Sequence, residues 1–274
     1  MKRILLYTLA LLLAAHVIAQ DSTAVAAGET LPSEAVGAPL GSFSDQVTKA
    51  QGDSAYMRND YASAIQIYET LLSEGEAAEL YYNLGNSYYK MDEIAKAILN
   101  YERALLLQPG NGDIRANLEI ARAKTVDKVV PVPEIFFVSW IKSLINCLSA
   151  DAWAVGGFLS FWLLLAACAL FFFTKRAVWK KSGFFAGLFF LLLTVLCNLF
   201  ASQQKSSLVH RNDAIVLQPS VTVRSTPSES GTSLFILHEG HKVEVKDGSM
   251  RQWKEIRLED GKVGWVPAEA IEVI

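Results

Sequence analysis

The chain is short of the residues that staple a fold or hold a metal. Its 274 residues include three cysteines and four histidines. Cys147, Cys168 and Cys197 leave the stretches before and after them without a thiol, so neither can build a disulfide framework. His16, His210, His238 and His241 have no Cys-x-x-Cys nearby and no metal-ligand spacing. His238 and His241, close as they are, read as ordinary surface histidines. Positive charge is also not in excess: 25 Lys and Arg face 28 Asp and Glu, a net charge of -3, which excludes a global basic field for nucleic acid. No nucleophile–base pair, phosphate loop or paired-carboxylate site is recognisable. The adjacent acids Asp92-Glu93 and Glu259-Asp260 fall at predicted turns, where solvated carboxylates are the default. Nothing points to an enzyme, and no cofactor is implied.

What the chain has in excess is apolar sequence, in three places; the 51% hydrophobic fraction is high for a soluble protein. The first is "MKRILLYTLALLLAAHVIAQD". Lys2 and Arg3 precede an apolar run from Ile4 to Ala15 that is short for a bilayer, and Val17 and Ala19 suit a cleavage site. Residues 1–19 thus read as a secretory signal peptide, with an uncleaved anchor as the alternative; no cysteine follows to make a lipoprotein. The other two are residues 152–174 and 182–204, each without a formal charge and long enough for a transmembrane helix. A buried core helix of that length would show a polar face, and these show almost none. Between them, residues 175–181 carry Lys175, Arg176, Lys180 and Lys181. Basic residues at helix ends stay cytoplasmic, so this loop is cytoplasmic and both flanking regions lie outside the cytoplasm.

Residues 20–44 are small, polar and Gly/Pro-containing, and read as a flexible linker. Helical sequence then repeats. "GDSAYMRNDYASAIQIYETLL" from Gly52 and "GNSYYKMDEIAKAILNYERAL" from Gly85 align Gly with Gly, Ala64 with Ala97 and Tyr68 with Tyr101. The second copy, with Leu84, Gly85, Tyr88, Ala97, Tyr101, Ala104 and Pro109, resembles the tetratricopeptide repeat; the first, with Ala55, Leu71 and Glu76, is looser. Small residues let two helices approach, tyrosines fill the space between them, and Pro109 ends a helix. The expected region is 45–128: repeats at 45–77 and 78–111, and a capping helix at 112–128 in which Asn117-Leu118 echoes Asn83-Leu84. Neighbouring helix pairs must stack to bury their apolar faces. The resemblance implies a concave groove for protein partners, faced here by Tyr82, Asn83, Asn86 and Tyr89. Lys49, Asn86 and Asn117 fall near the positions with which some relatives grip a C-terminal carboxylate. Asp53, however, replaces an expected Asn, and a second basic residue is missing.

Residues 134–150 form an amphipathic segment. Phe136, Val138, Trp140, Ile141, Leu144 and Ile145 are apolar, with Lys142, Ser143 and Asn146 among them. Directly before a span, this fits a helix lying in the membrane interface, with Trp140 and Trp153 at head-group level. The alternative is a packing surface for a partner's membrane helix. "SAD" at 149–151 is a helix N-cap signal.

From Asp213 the period drops to two, with short strands between turn signals. Asp260-Gly261 reads as a type I′ hairpin turn, and about five strands suggest a closed or nearly closed barrel. Residues 213–274 resemble the bacterial SH3 (SH3b) family, on Val223-Arg224-Ser225-x-Pro227, Glu239-Gly240, Trp253 and Asp260-Gly261-x-x-Gly264-Trp265-Val266. Arg224, Trp253 and Trp265 are the candidate peptide-binding residues; equally, both tryptophans are partly core. Domains of this kind bind peptidoglycan peptides or proteins, and the fold does not choose between them.

The expected architecture is multidomain: an all-α tetratricopeptide repeat region, a two-helix transmembrane hairpin and an all-β SH3-like barrel. The whole order, with "SWIKSLINCLSADAW" and "VTVRSTPS…GWVP", resembles the BatE type of the Bat aerotolerance proteins. That resemblance implies an inner-membrane protein with periplasmic domains. Its implied partners are von Willebrand A-domain membrane proteins of the same system, associated with a MoxR-type ATPase. Two classes of function stay open: a scaffold binding protein partners through both modules, or a peptidoglycan-binding tether or sensor anchored by the hairpin. Two modules on one anchor favour the scaffold, because joining them raises effective concentration.

Overall fold

The computed structural model describes residues 47–127 and 136–274. The expected signal peptide, the linker and the segment holding Pro131 and Pro133 lie outside the described residues. The described chain is a helical repeat region, two long apolar helices and an antiparallel sheet.

The repeat region comprises α1 (Lys49–Met57), α2 (Tyr61–Glu74), α3 (Ala78–Lys90), α4 (Ile94–Leu107) and α5 (Gly112–Arg122). The turns inside the two helical pairs are copies of each other. Asn59 and Asp92 both sit at φ 62°, and Asp60 N–H and Glu93 N–H bond Ala55 O and Tyr88 O, both at 3.0 Å. Asx side chains tolerate that left-handed conformation better than others. The small residues act as the pattern requires. A Cβ at Gly85 would lie 2.7 Å from the Tyr101 ring, and one at Gly52 2.6 Å from the Tyr68 ring. Ala64, Ala97, Tyr68 and Tyr101 are fully buried between the helices. Asn111 caps α5 by accepting from Asp113 N at 3.0 Å, and Ile114, Leu118 and Ala121 close the stack.

α6 (Phe136–Ile145) buries none of its side chains; Phe136, Phe137 and Trp140 are exposed. α7 (Ala150–Phe173) is capped by Ser149, whose hydroxyl accepts from Ala152 N at 3.3 Å. α8 (Ala177–Val209) begins inside the basic stretch and runs beyond the apolar segment through Ser202–Ser207. Trp153 meets Phe200, Ser160 bonds Thr194 at 2.8 Å, and Phe171 meets Phe184. Those pairs run in opposite order along the two helices, so the helices are antiparallel. Small residues at the seam, Gly157, Ser160, Ala167 and Gly183, allow close contact, as in membrane helix pairs. Their outer faces expose Phe158, Leu163, Leu188 and Phe189. Both helices are long and apolar enough to cross a membrane.

The sheet holds β1 (Asp213–Val216), β2 (Ser220–Arg224), β3 (Ser233–His238), β4 (Lys242–Asp247), β5 (Trp253–Arg257), β6 (Val263–Pro267) and β7 (Ile271–Val273), in the order β3-β2-β6-β5-β4-β1-β7. It has seven strands rather than about five, and it is not closed into a barrel. Its β7 edge takes a side-chain bond from the repeat. Arg103 on α4 gives Nη2 to Val273 O at 2.6 Å and to Glu272 Oε1 at 2.9 Å. The Asp260-Gly261 turn also differs from the expected type I′. Only Gly261 has positive φ, at 88°. Gly261 N–H bonds Leu258 O at 3.0 Å and Leu258 N–H bonds Lys262 O at 2.9 Å, the pattern of a three-residue loop with a left-handed glycine.

The sheet docks on α4 and on the end of α5. Ile215 and Ile274 are buried in the repeat core, not the sheet core. Glu102 accepts from Lys242 Nζ at 3.0 Å and pairs with Arg122, and Lys242 also reaches Asp213 at 2.9 Å. Asp127 accepts from the His238 backbone N–H at 2.7 Å and pairs with its Nδ1 at 2.8 Å. His241 is buried, with neither ring nitrogen hydrogen-bonded. The expectation of two ordinary surface histidines therefore fails, because their segment lies against the repeat. Gly240, at φ 81°, packs so close that a Cβ would lie 2.6 Å from Thr125 Cγ2 and 3.0 Å from Ile98 Cδ1. Arg211, after α8, clamps Glu76 with Nη1 at 2.7 Å and Nη2 at 2.5 Å.

Two outcomes follow. Gly240→Ala and Gly261→Ala each cost about 1–2 kcal/mol of backbone strain. Only Gly240→Ala also collides with the repeat, since nothing lies within 4 Å of a Cβ at Gly261. Hydrogen exchange on the full chain will show faster exchange in α4 and β1 for Gly240→Ala alone; equal effects would refute the docking. The Arg211 guanidinium beside Glu76 holds its carboxyl at about 2, below the ordinary 4.5. A depressed acid stabilises above its unfolded value and stops doing so as pH falls through its folded value. The stability advantage of the wild type over Glu76→Gln, up to about 1 kcal/mol for a partly exposed pair, will be constant above about pH 5 and will vanish towards pH 2. An advantage persisting at pH 2 in the thermal midpoint would contradict the clamp.

Candidate functional site

The first helices of the pairs, α1, α3 and α5, bring one polar network together along the groove. Asp53 is its anionic centre. Its Oδ1 accepts from Tyr68 OH at 2.7 Å and Asn83 Nδ2 at 3.1 Å, and its Oδ2 from Lys49 Nζ at 2.7 Å. Burial would raise the Asp53 carboxyl, but the bonds from Lys49, Tyr68 and Asn83 outweigh it and hold it below its usual value. One repeat along, Asn86 Oδ1 accepts from Tyr101 OH at 2.8 Å and Asn117 Nδ2 at 2.9 Å; Asn117 also donates to Tyr82 OH at 3.0 Å.

Of the four groove residues expected, Asn83 and Asn86 line a cavity of about 220 Å³ with Asp53, Tyr56, Met57 and Tyr68. Tyr82 joins through Asn117, and Tyr89 lies under Lys124 Nζ at 4.5 Å from its ring. The cavity is below the size of a small-molecule site and suits one side chain of a peptide. Tyr56 is one lining residue that the groove expectation passed over. The repeat register contains it, since Tyr56 and Asp53 occupy the places of Tyr89 and Asn86. The residues near carboxylate-gripping positions are already engaged. Lys49 is shared by Asp53 and Glu79, both at 2.7 Å, and an incoming carboxylate would face Asp53.

On the sheet, register assembles the second set. Arg224 pairs with Trp265, Glu255 with Trp265, and Trp253 with Pro267. Paired residues, and residues two apart on one strand, share a face. Arg224, Trp265 and Trp253 therefore lie on one face, all half-buried. Arg224 is partly committed: Nη1 donates to Gly231 O at 3.0 Å and Nη2 to Glu229 at 3.1 Å, bracing the β2–β3 loop. Among the described residues no group of three His, Cys, Asp or Glu side chains is arranged to hold a metal.

Residues 78–111 match the tetratricopeptide repeat family, and residues 219–272 match the bacterial SH3 domain family. No curated protein matches the chain. Both matched modules are of kinds that bind other molecules, so the chain has the parts of a protein-binding or cell-wall-binding adaptor carrying two apolar helices.

The network sets the cost of probing the groove. Asn86→Ala strips the acceptor from Tyr101 OH, which is 1% exposed, and will lower stability by about 1–3 kcal/mol. Asn83→Ala leaves Asp53 with Lys49 and Tyr68 and will cost under about 1 kcal/mol. Chemical denaturation of the full chain in mild detergent checks the ranking; equal losses would mean that the Asn86–Tyr101 bond contributes nothing.

Proposed function

We propose that the chain is a non-enzymatic, membrane-anchored scaffold that recruits protein partners through the repeat groove and the SH3b face. The observation that carries this is the docking of the sheet on α4, on the far side of the groove helices. Among the described residues, the hydrogen bonds of Asp53, Asn83, Asn86 and Asn117 all stay within the repeat. Two recognition surfaces thus sit on one body above the hairpin. The four basic residues around the α7–α8 turn support a cytoplasmic hairpin tip, with both modules in the periplasm of a bacterial inner membrane. The exposed aromatic surface of α6 supports its lying in the interface. The resemblance to the BatE type supports von Willebrand A-domain membrane proteins as partners in an aerotolerance complex. Any contact with an ATPase would be indirect, because the basic turn offers little cytoplasmic surface.

The half-buried Trp253 and Trp265 beside Arg224 favour a second reading, a peptidoglycan-binding tether or envelope sensor. Crosslinking in intact cells, followed by purification in mild detergent and mass spectrometry, separates the two. The scaffold predicts recovery of von Willebrand A membrane proteins, reduced about tenfold by Tyr82→Ala with Tyr89→Ala and unchanged by Trp265→Ala in at least one partner. Recovery of muropeptides alone, lost in Trp265→Ala and kept in the groove variant, would overturn it in favour of the tether.

A further inference from the structure

A larger cleft, of about 610 Å³, opens between α4, α5, the end of α8, β1 and β4. Its floor is fixed relative to the membrane interface. Gln204 lines it and donates Nε2 to Ile145 O at 2.7 Å and Leu148 O at 2.8 Å, tying α8 to the connection between α6 and α7. Trp153, edge-to-face with Phe200, marks the interface one helical turn below. At 1.5 Å per residue, Gln204 and Ser207 stand about 5 and 9 Å above Ala201, the last apolar residue of the segment. A head-group layer is about 5–8 Å deep on each side of the hydrocarbon. The floor of the cleft at Gln204 therefore lies at head-group depth and the cleft opens outward from there; its volume falls in the range of small-molecule sites.

Its chemistry is dipolar. Arg122, Arg211 and Lys242 line it but are bonded to carboxylates, at Glu102 and Glu119, Glu76, and Glu102 and Asp213 respectively. Arg115 differs: its Nη2 donates to Pro109 O at 2.7 Å, and it has no carboxylate partner among the described residues. Leu105, Leu106 and Leu118 supply an apolar wall. Glu119 at the rim accepts from Arg122 Nη1 through Oε1 at 3.0 Å and keeps Oε2 as an acceptor. One open guanidinium, an apolar wall and a carboxylate oxygen thus match three parts of one molecule.

We propose that this cleft holds the head group of phosphatidylethanolamine, with the phosphate on Arg115, the ammonium towards Glu119 and the glycerol region against Leu105 and Leu106. A planar guanidinium with free donors matches phosphate geometry. A dianionic head group would find only one open cation. A choline head group cannot donate the hydrogen bonds that a carboxylate accepts. The bound lipid would hold the repeat and sheet domains down on the membrane beside α8. The inference rests on α7 and α8 being membrane spans.

The test uses the full chain in nanodiscs of equal phosphatidylethanolamine and phosphatidylglycerol, released for native mass spectrometry. The expected result is one retained phosphatidylethanolamine per chain, reduced about tenfold or more in Arg115→Ala and largely kept in Arg115→Lys. Phe189→Ala, on the exposed face of α8, serves as the control and retains it fully. Glycerophosphoethanolamine should displace the lipid, and inorganic phosphate at the same concentration should not. Equal retention of both lipids, retention by Arg115→Ala, or displacement by phosphate would overturn the cleft assignment. Failure to enter nanodiscs would instead refute the membrane reading beneath it.

Discussion

Ile215 is buried between two cores. Its strand neighbours Ala214 and Val216 point into the sheet core, while Ile215 points into the repeat core with Ile274. A strand buried on both faces loses its polar side altogether, and "DAIVL" is accordingly apolar after Asp213. The repeat region needs this wall. Two helical pairs and a cap bury little by themselves, and the outer side of α4 would otherwise stay open to water. Around Ile215 the charges complete the seal. Burial alone would depress the Lys242 ammonium, yet Glu102 and Asp213 raise it above its usual value. The partners hold it charged, and Glu102, 8% exposed, is satisfied by two cations.

At the β7 edge the docking supplies one bond that closure would otherwise make. A small barrel closes to remove its edges. Here the β7 edge is occupied by Arg103, which supplies a side-chain donor to Val273 O. The remaining contacts, Asp127 with His238 and Arg211 with Glu76, bind the two chain connections that lead to and from the hairpin. Arg211–Glu76 thereby fastens the end of the apolar hairpin to the repeat, and Asp127–His238 fastens the end of the repeat to the sheet.

Much of this was legible in the sequence, for identifiable reasons. Repeat periodicity, the two uncharged runs and the Gly264-Trp265-Val266 signature are local patterns, and the helical pairs, the long apolar helices and the matched sheet domain correspond to them. What was not legible depends on contacts between segments far apart in the chain. His241 looks like a surface residue until its segment meets Thr125 and Ile98. Asp260-Gly261 is compatible with two hairpin classes, and only the Leu258–Lys262 bond selects the three-residue loop. Asp53 reads as a departure from a pattern. Its role as the shared acceptor of Lys49, Tyr68 and Asn83 appears only when α1, α2 and α3 are stacked.

Rigid docking changes what two binding surfaces can do together. Flexibly joined modules can close on one ligand, and the gain is set by linker length. In this chain the groove lies along α1, α3 and α5, while the sheet meets the repeat through β1 and α4. The Arg224–Trp265 pair lies on β2 and β6, with β5 and β4 between β6 and β1. At about 4.8 Å per strand, β6 is roughly 14 Å along the sheet from β1, and the groove is further away, across a helical layer. A peptide of four residues or fewer, spanning at most about 14 Å, cannot reach both surfaces. On the proposed reading, candidate surfaces set apart in this way are suited to holding two different partners at a fixed separation. That arrangement favours a scaffold over a tether, because a tether needs only one of the two surfaces and gains nothing from fixing the other.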